Sequence, residues 1–163
     1  MTNIGNRYEI SSLTNDKIKL INSLHHRKYR REHSLFVAEG IRICREAVEN
    51  GWEIRYLLYD NLNADAQKIE NLINDVLCLG ADVIGVTSEI LSKISHKANS
   101  QNVLCVICQK WKDLPGIIKD KTFVALETVR DPGNLGTILR TMDGVGATDC
   151  IPVSYTHLRA HET

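Results

Sequence analysis

Apolar positions along the first two thirds of the chain fall into two periods, and the switches between them mark successive elements. Ile18, Ile21 and Leu24 recur at three-residue steps behind a Ser/Thr-containing stretch, which predicts a short helix over 14–26. A brief apolar run over 35–38 predicts a strand. Ile41, Cys44 and Val48 then predict a helix over 39–50, stopped by Asn50-Gly51. A strand over 54–59 leads to a helix over 64–79, whose stripe is Ala66, Ile69, Ile73, Val76 and Leu77 and whose end is Gly80. Residues 82–86 predict a third strand, Thr87-Ser88-Glu89 caps a short helix to about Ile94, 95–102 is a polar loop, and 103–109 is a fourth strand.

Strands alternating with helices of this length indicate an α/β layer fold with a largely parallel sheet. The charged stretch 110–121 contains Pro115-Gly116 and is the best linker in the chain, so a first domain over 1–109 and a second beginning at 122 are expected. A new strand over 122–129 opens that second domain.

Composition narrows the class. Apolar residues make up 43% and charged residues 25% of 163, the balance of a folded globular protein. No apolar run approaches the roughly 20 residues of a membrane span. The polar opening 1–12 lacks the core of an export signal, which makes the cytoplasm the expected location. Five cysteines suit reduced thiols. Cys105 and Cys108 form a lone CxxC inside an apolar strand with no second ligand pair, so they read as core cysteines and no metal is expected.

Net charge is zero, which argues against whole-molecule attraction to nucleic acid, yet cations are locally concentrated. Arg27, Lys28, Arg30 and Arg31 surround Tyr29 at the end of the first predicted helix. The cluster is a concentrated basic patch around one aromatic ring, and a solvated helix end is its simplest reading.

The stretch 126–147 carries the densest chemistry. Asp131-Pro132-Gly133-Asn134 is a turn sequence, and a helix over 134–143 follows with Leu135, Ile138, Leu139 and Met142 as its apolar stripe. Gly133, Gly136, Thr137, Arg140 and Thr141 share another face. Small residues there permit close helix-on-sheet packing, or they permit a phosphate to approach backbone N–H groups and the Arg140 guanidinium. The residues alone leave both readings open. The spacing is not that of a dinucleotide fold and lacks the Gly-Lys-Ser/Thr of a P-loop.

The run from Asp131 to Thr141, with Gly144 and Gly146-Ala147 after it, resembles the first motif of the SpoU/TrmH branch of the SPOUT RNA methyltransferases. That motif centres on Asn-x-Gly-x-x-x-Arg, matched by Asn134, Gly136 and Arg140; Met142 stands where the family often has Ala. Phe36 to Gly40 resembles the Phe-x-x-Glu-Gly opening of the family's N-terminal substrate-binding domain, and Ser100 to Val106 the strand that closes it. The resemblance spans about residues 10–151.

It implies a small ribosomal-protein-like α/β sandwich that binds RNA, followed by an α/β-knot domain that moves a methyl group from S-adenosylmethionine to a ribose 2′-hydroxyl of ribosomal or transfer RNA. Arg140 and Asn134 become the catalytic candidates, Gly133 and Gly136 the motif's backbone positions. Arg27, Lys28, Tyr29, Arg30, Arg31 and Glu39 become RNA-binding candidates, and a homodimer is implied. The two later motifs that hold the cofactor in the knot have no counterpart here, so the second domain is expected to be the fragment 122–152, with no cofactor site and no activity of its own. The closing segment 153–163 resembles translated adapter sequence and is expected to be non-native. The competing readings are a non-catalytic RNA-binding module and an unrelated nucleotide-binding α/β protein.

Overall fold

The run Ile54–Asp60 (β3) is buried at six of its seven positions and forms the centre of a five-stranded sheet. In the computed structural model, residues 4–63, 66–95, 101–110, 122–129, 131–147 and 149–153 are described. The chain divides into two units, Met1–Trp111 and Lys112–Thr163. In the first unit Arg7–Ile10 (β1), Leu35–Glu39 (β2), β3, Asp82–Val86 (β4) and Val103–Cys108 (β5) lie in the order β1-β4-β3-β5-β2.

β1, β4 and β3 are parallel, whereas β5 runs antiparallel to both β3 and β2. The expected largely parallel sheet is therefore mixed. Strand β5 reads as a continuous apolar run because it is buried on both faces, and burial on both faces says nothing of direction.

Helices cover both faces. Asp16–Ser23 (α1) and Ser88–Ser95 (α5) pack Ile18, Ile21, Ile90, Leu91 and Ile94 on one side, against Leu58, Ile84, Leu104 and Val106. Ile41–Glu49 (α3) and Ala66–Cys78 (α4) pack Cys44, Ala47, Ile69, Leu72, Ile73 and Val76 on the other, against Leu57, Val83, Cys105 and Ile107. Neighbours such as Leu57 and Leu58 point to opposite layers, as the pleat requires. The same alternation separates the CxxC pair. Cys105 is fully buried in the second core, and Cys108 packs against the first. The inward position expected for Ala66 lies outside the described side chains.

Two elements differ from the expectation. Strand β1 lies in the stretch taken as a polar opening, and only Ile10 of its four residues is buried. It is held by its surroundings: the Asp82 carboxylate accepts from the Asn6 backbone N–H at 3.1 Å, from Tyr8 Oη at 3.2 Å and from Lys17 Nζ at 3.2 Å. Burial pushes the Asp82 carboxyl up, but the hydrogen bonds from Asn6, Lys17 and Tyr8 outweigh it and leave the group below its ordinary range. Second, the predicted first helix over 14–26 is shorter, and the basic cluster that follows it is a helix of its own. Helix α1 is capped by the Asn15 side chain on Lys17 N at 2.9 Å and ends at Ser23, and Arg27–His33 forms a separate helix, α2.

The second unit contains Phe123–Glu127 (β6), Pro132–Gly144 (α6) and Asp149–Val153 (β7), with β6 and β7 parallel. Val153, expected in the tail, pairs with Glu127 as the last residue of β7; residues 154–163 and the linker residues 111–121 lie outside those described. Of the predicted apolar stripe Met142 is buried, Leu135 and Ile138 are half-buried, and Leu139 is exposed.

Candidate functional site

All five members of the basic cluster fall on α2, none of whose residues is buried. Such a helix has no apolar stripe to dock. Its ends are settled locally: Ser34 closes it in the left-handed conformation at φ 53°, and Arg30, Arg31 and His33 fill the last turn, where the helix dipole favours cations.

The cations do not share one role. Arg30 Nη1 donates to the carbonyls of Leu24 at 2.9 Å and His25 at 2.5 Å, which satisfies the C-terminal end of α1 and ties the two helices together. Arg27, Lys28 and Arg31 are exposed, and none of the ion pairs among the described residues includes them. Tyr29 is half-buried, edge-on to His26 with ring centroids 6.2 Å apart, and Lys28 Nζ lies 5.6 Å from its centroid.

Glu39 closes β2 and has a connecting role. Its Oε1 accepts from Ser95 Oγ at 2.7 Å and from the Gln101 backbone N–H at 2.8 Å, joining the ends of β2, α5 and the approach to β5. Gly40 follows at φ 113°, where a side chain is strained, and its N–H donates to Val103 O at 2.9 Å. At the end of β3, on the other side of β5, Asp60 is 3% exposed and accepts from Leu62 N, Asn63 N, Asn63 Nδ2 and Ser88 Oγ. Burial pushes its carboxyl up, and the Ser88, Leu62 and Asn63 hydrogen bonds bring it below the ordinary value. This polar end of the sheet was not legible as a unit, because its members are far apart in sequence.

In the second unit the turn sequence performs as a helix start. Asp131 is the N-cap, its Oδ1 accepting from Gly133 N at 2.9 Å, and Pro132 occupies the first turn. The Gly133 N–H, one of the backbone donors at this helix start, is thus taken by the protein's own carboxylate. The exposed face of α6 carries Gly133, Asn134, Thr137, Arg140 and Thr141, with Gly136 half-buried among them. Thr137 Oγ1 donates to Gly133 O and Thr141 Oγ1 to Thr137 O, each at 3.0 Å, so both hydroxyl hydrogens are turned onto the helix. Arg140 is the one cation on this face. Asn134 lies beside Thr137 and Thr141, roughly 120° around the helix from Arg140.

Among the described residues no cluster of three His, Cys, Asp or Glu could hold a metal ion, and no helix is long and apolar enough to cross a membrane. Nor do the described residues of the second unit fit a nucleoside cofactor. Met142 is the one buried side chain there, whereas a bound adenosine needs an enclosing apolar wall.

Comparisons with known proteins bear on both units. Residues 15–105 match the family described as the MRM3-like substrate binding domain. The 23S rRNA (guanosine(2553)-2′-O)-methyltransferase RlmP of Bacillus subtilis (strain 168) is 27% identical over 138 residues, 85% of this chain and 51% of that protein. The crystal structure of an rRNA methyltransferase from Sinorhizobium meliloti superposes with a TM-score of 0.81 at 34% identity, over 94% of this chain and 59% of that one. The SpoU methyltransferase AviRb from Streptomyces viridochromogenes, in complex with AdoMet, gives a TM-score of 0.70 at 26% identity, over 85% of this chain and 52% of that one. The chain spans about half the length of the curated relatives it matches.

Proposed function

Because the chain belongs to the SpoU/TrmH-type RNA methyltransferases through an MRM3-like substrate-binding domain at residues 15–105, we propose that it serves S-adenosylmethionine-dependent methylation of a ribose 2′-hydroxyl in ribosomal RNA. The observation that carries this reading is the display of Asn134 and Arg140 on the exposed face of a firmly capped helix that follows a parallel strand. In this proposal α2 of the first unit holds RNA backbone through Arg27, Lys28 and Arg31, Tyr29 offers a ring edge to a base, and Arg30 and Glu39 shape the surface and do not grip the ligand.

The Arg140 guanidinium offers donors and no acceptor, so its role is to bind and orient the phosphate beside the target ribose; that phosphate, or a water on it, receives the hydroxyl proton. Asn134 completes the reaction site with its amide. The cofactor supplies the methyl group, and the described residues do not enclose it. The expected setting is the cytoplasm, with a homodimer formed through the methyltransferase unit. A second reading, RNA binding without catalysis, is favoured by the sparse burial in the second unit.

The test is a salt titration of binding to a ribosomal RNA hairpin. Each phosphate contact contributes a slope of about −0.7 to −0.9 in log K against log salt. Replacing Arg27, Lys28 and Arg31 with Gln is expected to flatten the slope by up to three such increments. An unchanged slope removes α2 from the RNA surface.

A further inference from the structure

We infer that Thr137 is a positioning residue that fixes the guanidinium of Arg140 before RNA arrives; the inference rests on the reading of Arg140 given above. Thr137 lies one turn before Arg140, the spacing at which two helical side chains meet. Its hydroxyl donates to Gly133 O at 3.0 Å, which fixes the oxygen's orientation and leaves its lone pairs facing along the helix toward Arg140. Arg140 Nη2 donates to that oxygen at 3.4 Å. The relay Arg140 to Thr137 to the Gly133 carbonyl draws the guanidinium back along α6 and over Gly136, where a Cβ would stand 4.0 Å from Nη2.

The consequence is order. An exposed Arg samples many rotamers, and each must be given up when a phosphate binds. One Nη2 hydrogen bond within the helix restricts that sampling, and four of the five N–H donors remain for the RNA. Valine keeps the shape and β-branching of threonine at 137 and removes the hydroxyl, whereas serine keeps the hydroxyl.

The experiment follows the Arg140 Nε–Hε signal by 15N relaxation in the whole chain, with exposed Arg31 as the reference for a free side chain. The expected result is a restrained Arg140 in the wild type and in Thr137→Ser, and an Arg140 as mobile as Arg31 in Thr137→Val. Affinity for the ribosomal RNA hairpin is expected to fall roughly two- to tenfold in Thr137→Val, the range of one net hydrogen bond, and to recover in Thr137→Ser. Equal Arg140 mobility in wild type and Thr137→Val overturns the inference. Arg140→Lys separates it from the reading beneath it. If that variant binds RNA as the wild type does, the role of the guanidinium fork fails, whatever Thr137 does to its motion.

Discussion

At the scale of single residues, the buried acid Asp60 sets how the first unit responds to pH. Its four hydrogen bonds favour the carboxylate, and its pKa lies below the ordinary value despite burial. A carboxyl lowered in the folded state adds stability that is complete above the unfolded value of about 3.9 and is lost as pH falls through the folded value. Asp82 has the same sign. Urea midpoints are therefore expected to hold from neutrality to about pH 5 and to drop below about pH 4. Asp60→Ala is expected to lower stability at pH 7 by about 1–3 kcal/mol, because it leaves the Leu62 and Asn63 amides unpaired, and to flatten the acid limb. A variant as acid-sensitive as the wild type would show that the sensitivity arises elsewhere.

Thr128 is the other residue that stands out. It follows β6 with φ 54°, a left-handed conformation that disfavours a β-branched side chain. That conformation costs a non-glycine residue roughly 1–2 kcal/mol, and glycine's larger unfolded freedom takes back about 0.5–1 kcal/mol. Thr128→Gly is thus expected to stabilise the second unit by up to about 1.5 kcal/mol. A loss of stability in thermal unfolding would show that the side chain makes a favourable contact worth more than the strain.

At the scale of elements, legibility followed locality. Strands β3, β4 and β5 and helices α3, α4 and α5 declared themselves because each buries a stripe whose period is visible in a short window. The Asp131–Asn134 turn did so because its bonds are made within three residues. Strand β1 did not, since one buried residue gives no period and β4, the strand it pairs with, lies more than seventy residues along the chain. Helix α2 is not predicted as an element, because a helix with no buried residue has no stripe. The site divides the same way. Asn134 and Arg140, the candidates, belong to one local motif, so the sequence alone puts them on one helix. The Ser95 and Gln101 contacts of Glu39, 56 and 62 residues distant, were not.

The hidden attachment of β1 is testable. A Cβ on Gly5 would stand 1.9 Å from Ala81 O, a backbone atom that cannot swing aside, and the Gly5 N–H bonds to Leu77 O at 2.9 Å. Gly5→Ala is expected to destabilise by about 1–3 kcal/mol, the usual penalty of overpacking. Amide exchange should then quicken along β1 and the β4 edge it pairs with, and leave β5 unchanged. Uniform loss of protection across the sheet would mean that β1 is part of the cooperative core.

At the scale of the whole molecule, the two units differ in how much interior they own. The first has a sheet with a core on each face, whereas Met142 is the one described side chain of the second that is buried. Since local opening scales with the buried contacts that oppose it, native-state amide exchange is expected to be slowest in β3 and β5 and orders of magnitude faster in α6. Comparable protection in the two units would show that the apolar face of α6 is covered in solution.

The Arg30 tether has a consequence for how such a surface changes over generations. Arg27, Lys28 and Arg31 make none of the ion pairs among the described residues, so in the proposed RNA-binding role selection can trade them at small cost to the fold. Arg30 has no such freedom, because its guanidinium closes α1 against α2. New specificity can therefore arise around a fixed pivot, with the scaffold undisturbed while its charges drift.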